Sequence, residues 1–174
     1  MMRFILYKVI ILLLVCLPVH GMAQERPYQE PTGLNNWYVE AAGAGYLYSL
    51  NYEKILYRST KWGWVGRVGI GYTPMDIAML NILFLDAKTF MIPFTTSMLY
   101  GSRERKEKLE FGGGFTLLAK GIDDRETAYT GVIGFRVIET NKVCFRASYT
   151  PIITANGTWF NWFGVSLGMN FSLK

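Results

Sequence analysis

Six charged residues are spaced so that strands would turn their side chains to the same side as small residues. Three are carboxylates and three are guanidinium groups, so their charges balance. If those strands enclose a narrow interior, such groups must pair, because a buried unpaired charge costs on the order of several kcal/mol. We therefore predict an internal ion-pair network, with a proton or anion path and a small polar ligand site as the alternatives. The six residues are Glu40, Glu53, Arg67, Glu110, Arg136 and Arg146.

Side chains for nucleophilic or metal chemistry are scarce in this sequence. The only histidine, His20, and one of the two cysteines, Cys16, lie in an apolar N-terminal segment. Without that segment the chain has no histidine base to activate a serine, and its single thiol, Cys144, has no partner for an internal disulfide. We expect no enzymatic activity, no cofactor and no metal site. A lipid-modifying enzyme with another base is the remote alternative.

Residues 1–23 have the pattern of a secretory signal peptide. A basic N terminus precedes an apolar run, and Gly21 and Ala23 occupy the small-residue positions of a signal-peptidase site. The run is shorter than the roughly 20 residues of a spanning helix, which makes a retained anchor the weaker interpretation. We therefore expect a removed signal, a polar lead over 24–36 and one barrel domain over 37–174.

The charge distribution argues against nucleic acid as a partner. The chain has 18 Lys and Arg residues against 13 Asp and Glu residues, and loss of the two bases in the signal leaves a net charge of +3. The remaining bases are interleaved with acids, as in SRERKEKLE, whereas a nucleic-acid surface needs clustered bases.

Alternation with a period of two runs through most of the chain and indicates strands. In GVSLGMNF, residues 164–171, large apolar residues alternate with Gly, Ser and Asn, and WGWVGRVGIGY repeats the pattern. One face is bulky and the other is too small and too weakly charged for a solvated surface, which disfavours a soluble lipocalin-like barrel. The predicted fold is all-β, a transmembrane antiparallel up-and-down β-barrel of about eight strands with its apolar face in lipid. Aromatic girdles would be formed by Trp37, Trp62, Trp64, Tyr72, Tyr100, Trp159 and Trp162.

The strand count depends on the first segment, residues 37–56. Its outward set shifts from Val39 and Ala41 before GAG to Tyr46 and alternate residues after it, which indicates a bulge or a turn at residues 43–45. An even count is the rule for bacterial barrels, so we favour a turn and eight strands. The other six are predicted at about 62–73, 89–100, 108–119, 127–138, 142–155 and 158–172, the last two joined by a type I′ turn at Asn156-Gly157.

Several short sequences together carry a resemblance. A signal peptide, then SLNYEK, RVGIGY, IPFTTSMLYG running into KLEFGGGFTLL, GFRV, FRASYTPI and a terminal FGVSLGMNF resemble small outer-membrane β-barrel proteins of Bacteroidota-type Gram-negative bacteria. The resemblance covers essentially the whole chain after the signal. It implies a barrel and an outer-membrane location, and it implies no catalytic residues.

The segment 74–88 is too apolar for a solvated loop. It would extend the strands beyond the membrane or cap the barrel mouth; alternatively it would dock a hydrophobic ligand, a lipid or a partner protein. Compact connections at 58–61, 102–108 and 139–141 are typical of periplasmic turns, which places 74–88 on the extracellular side. Its apolar residues are Met75, Ile77, Met79, Leu80, Ile82, Leu83, Phe84 and Leu85.

The leading functional hypothesis is a non-enzymatic outer-membrane barrel with a structural or interaction role and a lumen plugged by its Glu and Arg side chains. The alternative is binding or transport of a small hydrophobic molecule at the barrel mouth or wall. The expected partners are outer-membrane lipid and the outer-membrane assembly machinery. An occluded lumen would favour the structural or interaction role. A lumen open towards residues 74–88 would favour binding or transport of a small hydrophobic molecule.

Overall fold

The computed structural model describes residues 33–73, 89–119, 125–139 and 142–172, and these ranges are almost entirely β-structure. No helix within them is long and apolar enough to cross a membrane. A short 3₁₀ turn occupies Gly43–Gly45. The strands are β1 (Asn35–Ala42), β2 (Tyr48–Arg58), β3 (Trp62–Thr73), β4 (Thr89–Tyr100), β5 (Glu107–Ala119), β6 (Arg125–Ile138), β7 (Val143–Tyr149), β8 (Ile152–Thr154), β9 (Trp159–Phe160) and β10 (Phe163–Phe171).

The strands form a closed antiparallel barrel. Each of β1 to β6 pairs with the next strand in sequence, β7 pairs with β10, and β10 closes the ring against β1. Both β7 and the short β8 pair with β6, and β9 pairs with β8, so β8 and β9 extend the walls formed by β7 and β10. The ring therefore contains eight strands, and the predicted all-β fold with eight strands is confirmed.

The chain turns at Gly43–Gly45, which decides between the bulge and the turn. The amide of Ala42 donates to the Leu47 carbonyl at 2.7 Å, closing a hairpin between β1 and β2. Positive φ angles at Ala42, Gly43 and Tyr46 reverse the chain within a few residues. This reversal aims Tyr46 into the barrel, where it is 1% exposed. The predicted outward orientation of Tyr46 is therefore wrong, because turn geometry overrides the strand alternation there.

The last two predicted strands are each interrupted. Between β7 and β8 lie Thr150 and Pro151, and a proline has no amide hydrogen for the ladder. The hairpin that follows does not have the predicted type I′ turn at Asn156-Gly157. The Gly157 amide donates to the Thr154 carbonyl at 2.9 Å, and Gly157 has φ 78°, but Asn156 is not among the residues with positive φ. A type I′ turn requires positive φ at both central residues.

Along the strands the outward and inward sides follow the predicted alternation. In β10 the side chains of Leu167 and Met169 are 61% and 59% exposed, whereas Ser166 and Asn170 are 3% exposed. The bulky apolar residues therefore cover the outer wall, and the small and polar residues line the lumen.

The lumen also contains apolar residues that the alternation pattern did not predict, and they pack into two clusters. One, which we call the upper cluster, lies at the end where β3 ends and β4 begins and comprises Tyr46, Met91, Leu118, Ala128 and Ile152. The other, the lower cluster, lies near the opposite end and comprises Ile55, Val65 and Leu99. Trp162, which we expected in an aromatic girdle, instead packs against the upper cluster and donates its indole N–H to the Tyr46 carbonyl at 3.1 Å.

Candidate functional site: a charge network across the lumen

All six charged residues singled out in the sequence meet in the middle of the lumen, between the two apolar clusters. They come from six of the eight barrel strands, and each is at most 6% exposed. Because strand alternation has a period of two, every one of these positions turns its side chain inward, and the narrow ring brings the charged ends together.

Glu53 on β2 is held from three directions. It accepts two hydrogen bonds from Arg136 on β6, at 2.6 Å and 2.8 Å, which is the bidentate geometry that favours arginine. Arg67, its cross-strand neighbour on β3, donates at 2.8 Å, and the Asn36 amide donates at 2.7 Å. Both oxygens of this buried carboxylate are therefore satisfied.

Glu110 on β5 links the three guanidinium groups. It accepts from Arg67 at 2.7 Å, from Arg136 at 2.9 Å and from Arg146 at 3.4 Å. Arg136 and Arg146 face each other directly in the β6–β7 ladder, where two like charges would repel. The shared carboxylate offsets this repulsion.

Glu40 on β1 completes the network as the partner of Arg146 on β7. The two form a short ion pair, and the hydroxyls of Ser49 and Ser166 each donate to the carboxylate of Glu40 at 3.4 Å. Ser49 and Ser166 are the residues paired with Glu40 on the two neighbouring strands. Small hydroxyl residues at these two positions leave room for the carboxylate and contribute donors to it.

The network crosses the barrel from wall to wall. In a ring of eight, β2 and β6 are opposite strands, so the pair of Glu53 and Arg136 spans the diameter. The cavity beside this pair, lined also by Cys144 and Ser166, measures about 10 Å³. A space of that size holds one water molecule at most. Three paired carboxylates and three paired guanidiniums therefore fill and cross-link the lumen.

Tyr38 is a member of the site that the sequence reasoning missed. Its ring lies between two guanidinium groups, 5.2 Å from Arg67 and 5.3 Å from Arg146, measured from the ring centroid to each Cζ atom. These are cation–π distances. Tyr38 is two residues before Glu40 on β1, so the alternation places it inward, although an aromatic residue there departs from the small-residue pattern of the lumen.

A seventh inward-facing charge was also missed. Lys108 has the same parity as Glu110 on β5 and is 5% exposed. Its ammonium group donates to the Ser102 carbonyl at 2.5 Å, in the turn between β4 and β5. Lys108 therefore lies at the turn end of the lumen rather than in the central network, and parity alone could have identified it.

Two further sequence expectations concern the segment 74–88 and Cys144. The apolar residues of segment 74–88 lie outside the described residues. Cys144 is buried, as its inward parity predicts. Among the described residues no group of three or more His, Cys, Asp and Glu side chains could hold a metal ion. The carboxylates of the network are instead occupied by guanidinium groups, an arrangement that cross-links strands.

Comparison with known proteins shows the fold. No protein-family model matches the sequence. No curated protein matches it either. The chain is similar to the N-terminal β-barrel domain of Pseudomonas aeruginosa OprF, with a TM-score of 0.52 and 12% identity over 79% of this chain and 95% of that one. It is also similar to the Yersinia pestis outer membrane protein Ail in a phospholipid bilayer nanodisc, with a TM-score of 0.51 and 12% identity over 80% of this chain and 99% of that one. At this identity the similarity establishes the β-barrel fold alone.

Proposed function

We propose that this chain is a non-enzymatic outer-membrane β-barrel that acts as a structural or interaction scaffold and does not conduct solutes. The observation that carries this proposal is the distribution of side chains on the two faces of the barrel. The outer wall is apolar, and the lumen is closed by the charge network between two apolar clusters. Such a wall is stable in lipid, where a closed barrel leaves no backbone group without a hydrogen-bond partner.

The height of the wall fits a bilayer. Strand β3 has 12 residues, which at about 3.3 Å per residue is roughly 40 Å of strand. A tilt of about 45° reduces this to a height of roughly 28 Å, close to the apolar band of about 25 Å in outer-membrane barrels.

Aromatic residues at both ends of the wall support the same placement. The ring centroids of Trp62 and Tyr100 lie 4.7 Å apart in a tilted contact where the short turns lie, and both residues are more than 40% exposed. At the other end Tyr129 and Trp159 are 58% and 56% exposed. Tryptophan and tyrosine favour the interface between lipid and water because their rings are apolar and their N–H or O–H groups are polar.

We further infer export through a cleaved signal peptide, insertion by the outer-membrane assembly machinery, and kinship with the small outer-membrane barrels of Bacteroidota-type bacteria. The two solved structures with this fold support an outer-membrane location, because one is named an outer membrane protein and was studied in a phospholipid bilayer. The compact turns support an orientation with the β2–β3, β4–β5 and β6–β7 connections in the periplasm.

Two measurements test the proposal together. The folded protein in lipid vesicles should migrate differently from the boiled protein in gel electrophoresis, and planar bilayers containing it should show no large, stable conductance. Eight strands leave an interior that side chains fill. A monodisperse protein recovered in buffer without detergent would contradict the membrane location, and a large open conductance would contradict the closed lumen.

A second candidate function is binding of a small hydrophobic molecule at the barrel wall. It is favoured by an apolar groove of about 460 Å³ over Ala147, a small outward residue between Phe135 and Val165 on the neighbouring strands. Extraction of the lipids that co-purify with the protein tests it. A single enriched hydrophobic species that is lost from an Ala147→Phe variant would support binding at this groove.

A further inference from the structure

The turn between β1 and β2 folds into the barrel instead of projecting beyond its rim. We call residues 43–47 the plug turn. Its first three residues are buried, and Ala44 is 3% exposed. The turn lies against β3, β4 and β5 as well as against β1, β2 and β10. Because β5 is opposite β1 in the ring of eight, the plug turn occupies the upper end of the lumen from wall to wall.

The walls around the plug turn leave space for it. A Cβ atom at Gly164 on β10 would lie 2.7 Å from the Gly43 Cα atom, and a Cβ atom at Gly71 on β3 would lie 3.3 Å from the Gly45 carbonyl oxygen. The first distance is well below the optimum of about 3.5–4.0 Å between nonbonded carbon atoms. Glycine at these two wall positions therefore gives the plug turn a fitted seat.

Two side chains of the wall act as latches on the plug turn. The Thr116 hydroxyl on β5 donates to the Ala44 carbonyl at 2.8 Å, and the Trp162 indole, just before β10, donates to the Tyr46 carbonyl at 3.1 Å. The side chain of Tyr46 is 1% exposed and packs in the upper cluster with Met91. These contacts hold the plug turn from two sides of the ring.

The backbone is strained at both ends of the plug turn. Ala42 has φ 60° and ψ −149°, and Tyr46 has φ 61° and ψ −88°. Neither residue is a glycine, and both lie outside the left-handed helical region that other residues with positive φ normally adopt. Residues in such conformations persist only where their surroundings hold them, and they are concentrated at switch regions. Movement of the plug turn out of the lumen would release this strain.

The strand ladders and the charge network do not include the plug turn. The ladder between β1 and β2 ends at the pair of Ala41 and Tyr48, so no strand pair would break if residues 43–47 moved. Glu40 is the network residue closest to the turn along the chain, and its carboxylate is held by Arg146 and by hydroxyls of the neighbouring strands. The turn would therefore open while the charge network below it stays closed.

We propose that the plug turn is a displaceable lid on the upper half of the lumen. The latches of Thr116 and Trp162 hold it in place against the strain at Ala42 and Tyr46. Its release admits water and small solutes as far as the charge network and not through the barrel. The inference rests on the closed lumen proposed above, and it identifies the element that controls access to the upper half of that lumen.

The test measures how fast a thiol beneath the plug turn reacts. Val132 on β6 is 1% exposed and faces inward, midway along the strand between Ala128 of the upper cluster and Arg136 of the network. The reporter protein carries Val132→Cys with Cys144→Ala, in lipid nanodiscs that leave both ends of the barrel accessible to water. It is treated with 2-(trimethylammonium)ethyl methanethiosulfonate, which does not enter lipid, and modification of each cysteine is followed by mass spectrometry. In a parallel set without these two substitutions, the native thiol of Cys144 reports on the other side of the network, because it lies two residues from Arg146 toward the β6–β7 turn.

Two variants each remove one latch, and two controls make the same chemical change elsewhere. Thr116→Val and Trp162→Phe remove the donors to the plug turn. Thr96→Val removes an exposed hydroxyl that donates to a backbone carbonyl at 3.1 Å, and Trp159→Phe removes an exposed indole that donates to a side chain at 3.2 Å. A last variant adds Ala42→Gly to Thr116→Val, because glycine adopts positive φ without strain.

We expect slow modification of the reporter thiol and faster modification in both latch variants. The net contribution of one hydrogen bond corresponds to about fivefold in an equilibrium, so each latch variant should react about fivefold faster and the two together about 25-fold faster. The controls should stay within about twofold of the reporter protein. Ala42→Gly should slow the Thr116→Val variant about threefold, because it removes strain that favours release. Modification of Cys144 should be unchanged by either latch substitution.

Three results would overturn the inference. The first is equal rates in the latch and control variants. The second is modification that Ala42→Gly does not slow, because a merely flexible loop would open more readily with a glycine. The third is faster modification of Cys144 in the latch variants, which would mean that release opens the whole lumen.

The difference in electrophoretic mobility between the unboiled and the boiled protein checks the folding of every variant, and either latch variant suffices if the other does not fold. A reporter thiol that reacts as fast as an exposed thiol would contradict the proposed closed lumen itself. A protected reporter thiol with equal rates in the latch and control variants would contradict only this inference.

Discussion

Replacing Arg136 by methionine should destabilise the barrel strongly. Arg136 is 2% exposed and donates three hydrogen bonds, two to Glu53 and one to Glu110, at 2.6–2.9 Å. Methionine is unbranched like arginine but shorter, and it has no donor, so the network would hold three carboxylates against two guanidiniums. Removing one partner of a buried ion pair costs about 3–5 kcal/mol. Because Arg67 and Asn36 still donate to Glu53, we expect a value near 3 kcal/mol.

The measurement is denaturant unfolding of the protein in lipid vesicles. Unfolding is followed by tryptophan fluorescence and by the difference in electrophoretic mobility between the unboiled and the boiled protein. The matched control is Arg125→Met, the same chemical change at an exposed strand end, which should alter the unfolding free energy by less than about 0.5 kcal/mol. A double-mutant cycle with Glu53→Gln should give a coupling energy of about 2 kcal/mol, because the second substitution removes the carboxylate stranded by the first. Equal unfolding midpoints for Arg136→Met, Arg125→Met and the unaltered protein would refute the network as a source of stability.

Three further predictions concern the strand faces, the buried tyrosine and the first turn. Cysteines placed singly at positions 164–171, in a protein with Cys144→Ala, should react with lipid-soluble probes at odd positions and not at even ones; absence of that period would contradict the lipid-facing assignment of β10. Tyr38→Phe should leave the unfolding free energy unchanged or raise it by up to about 1 kcal/mol, because the buried hydroxyl has no partner among the described residues; a clear loss would indicate a hidden partner. Gly43→Ala should destabilise the barrel by about 1–3 kcal/mol in the same unfolding assay. The backbone φ at Gly43 is 77°, and the new Cβ would lie 2.5 Å from the Glu40 carboxyl carbon. An unchanged unfolding midpoint would show that the turn accommodates the methyl group without cost.

The sequence by itself determined which side of the wall most residues face. Alternation is a local property with a period of two, so Leu167 and Ser166 could be assigned to opposite faces without knowledge of their neighbours. The same rule placed the six charges inward, and the shift of parity at Gly43–Gly45 indicated the extra turn and the even strand count. The alternation rule failed at Tyr46, where positive φ angles in the turn reverse the direction of the side chain.

Only the tertiary structure decided which charges meet. Glu53 and Arg67 are cross-strand neighbours, and hairpin register could suggest that pair, but Glu53 and Arg136 are 83 residues apart and lie on opposite strands. Their contact depends on ring closure between β1 and β10, and closure depends on strand number and stagger together. The two apolar clusters that close the lumen likewise combine residues from several strands, such as Met91, Leu118 and Ile152. Alternation records the face on which a side chain lies, whereas the contacts across the lumen are set by the diameter and register of the closed ring.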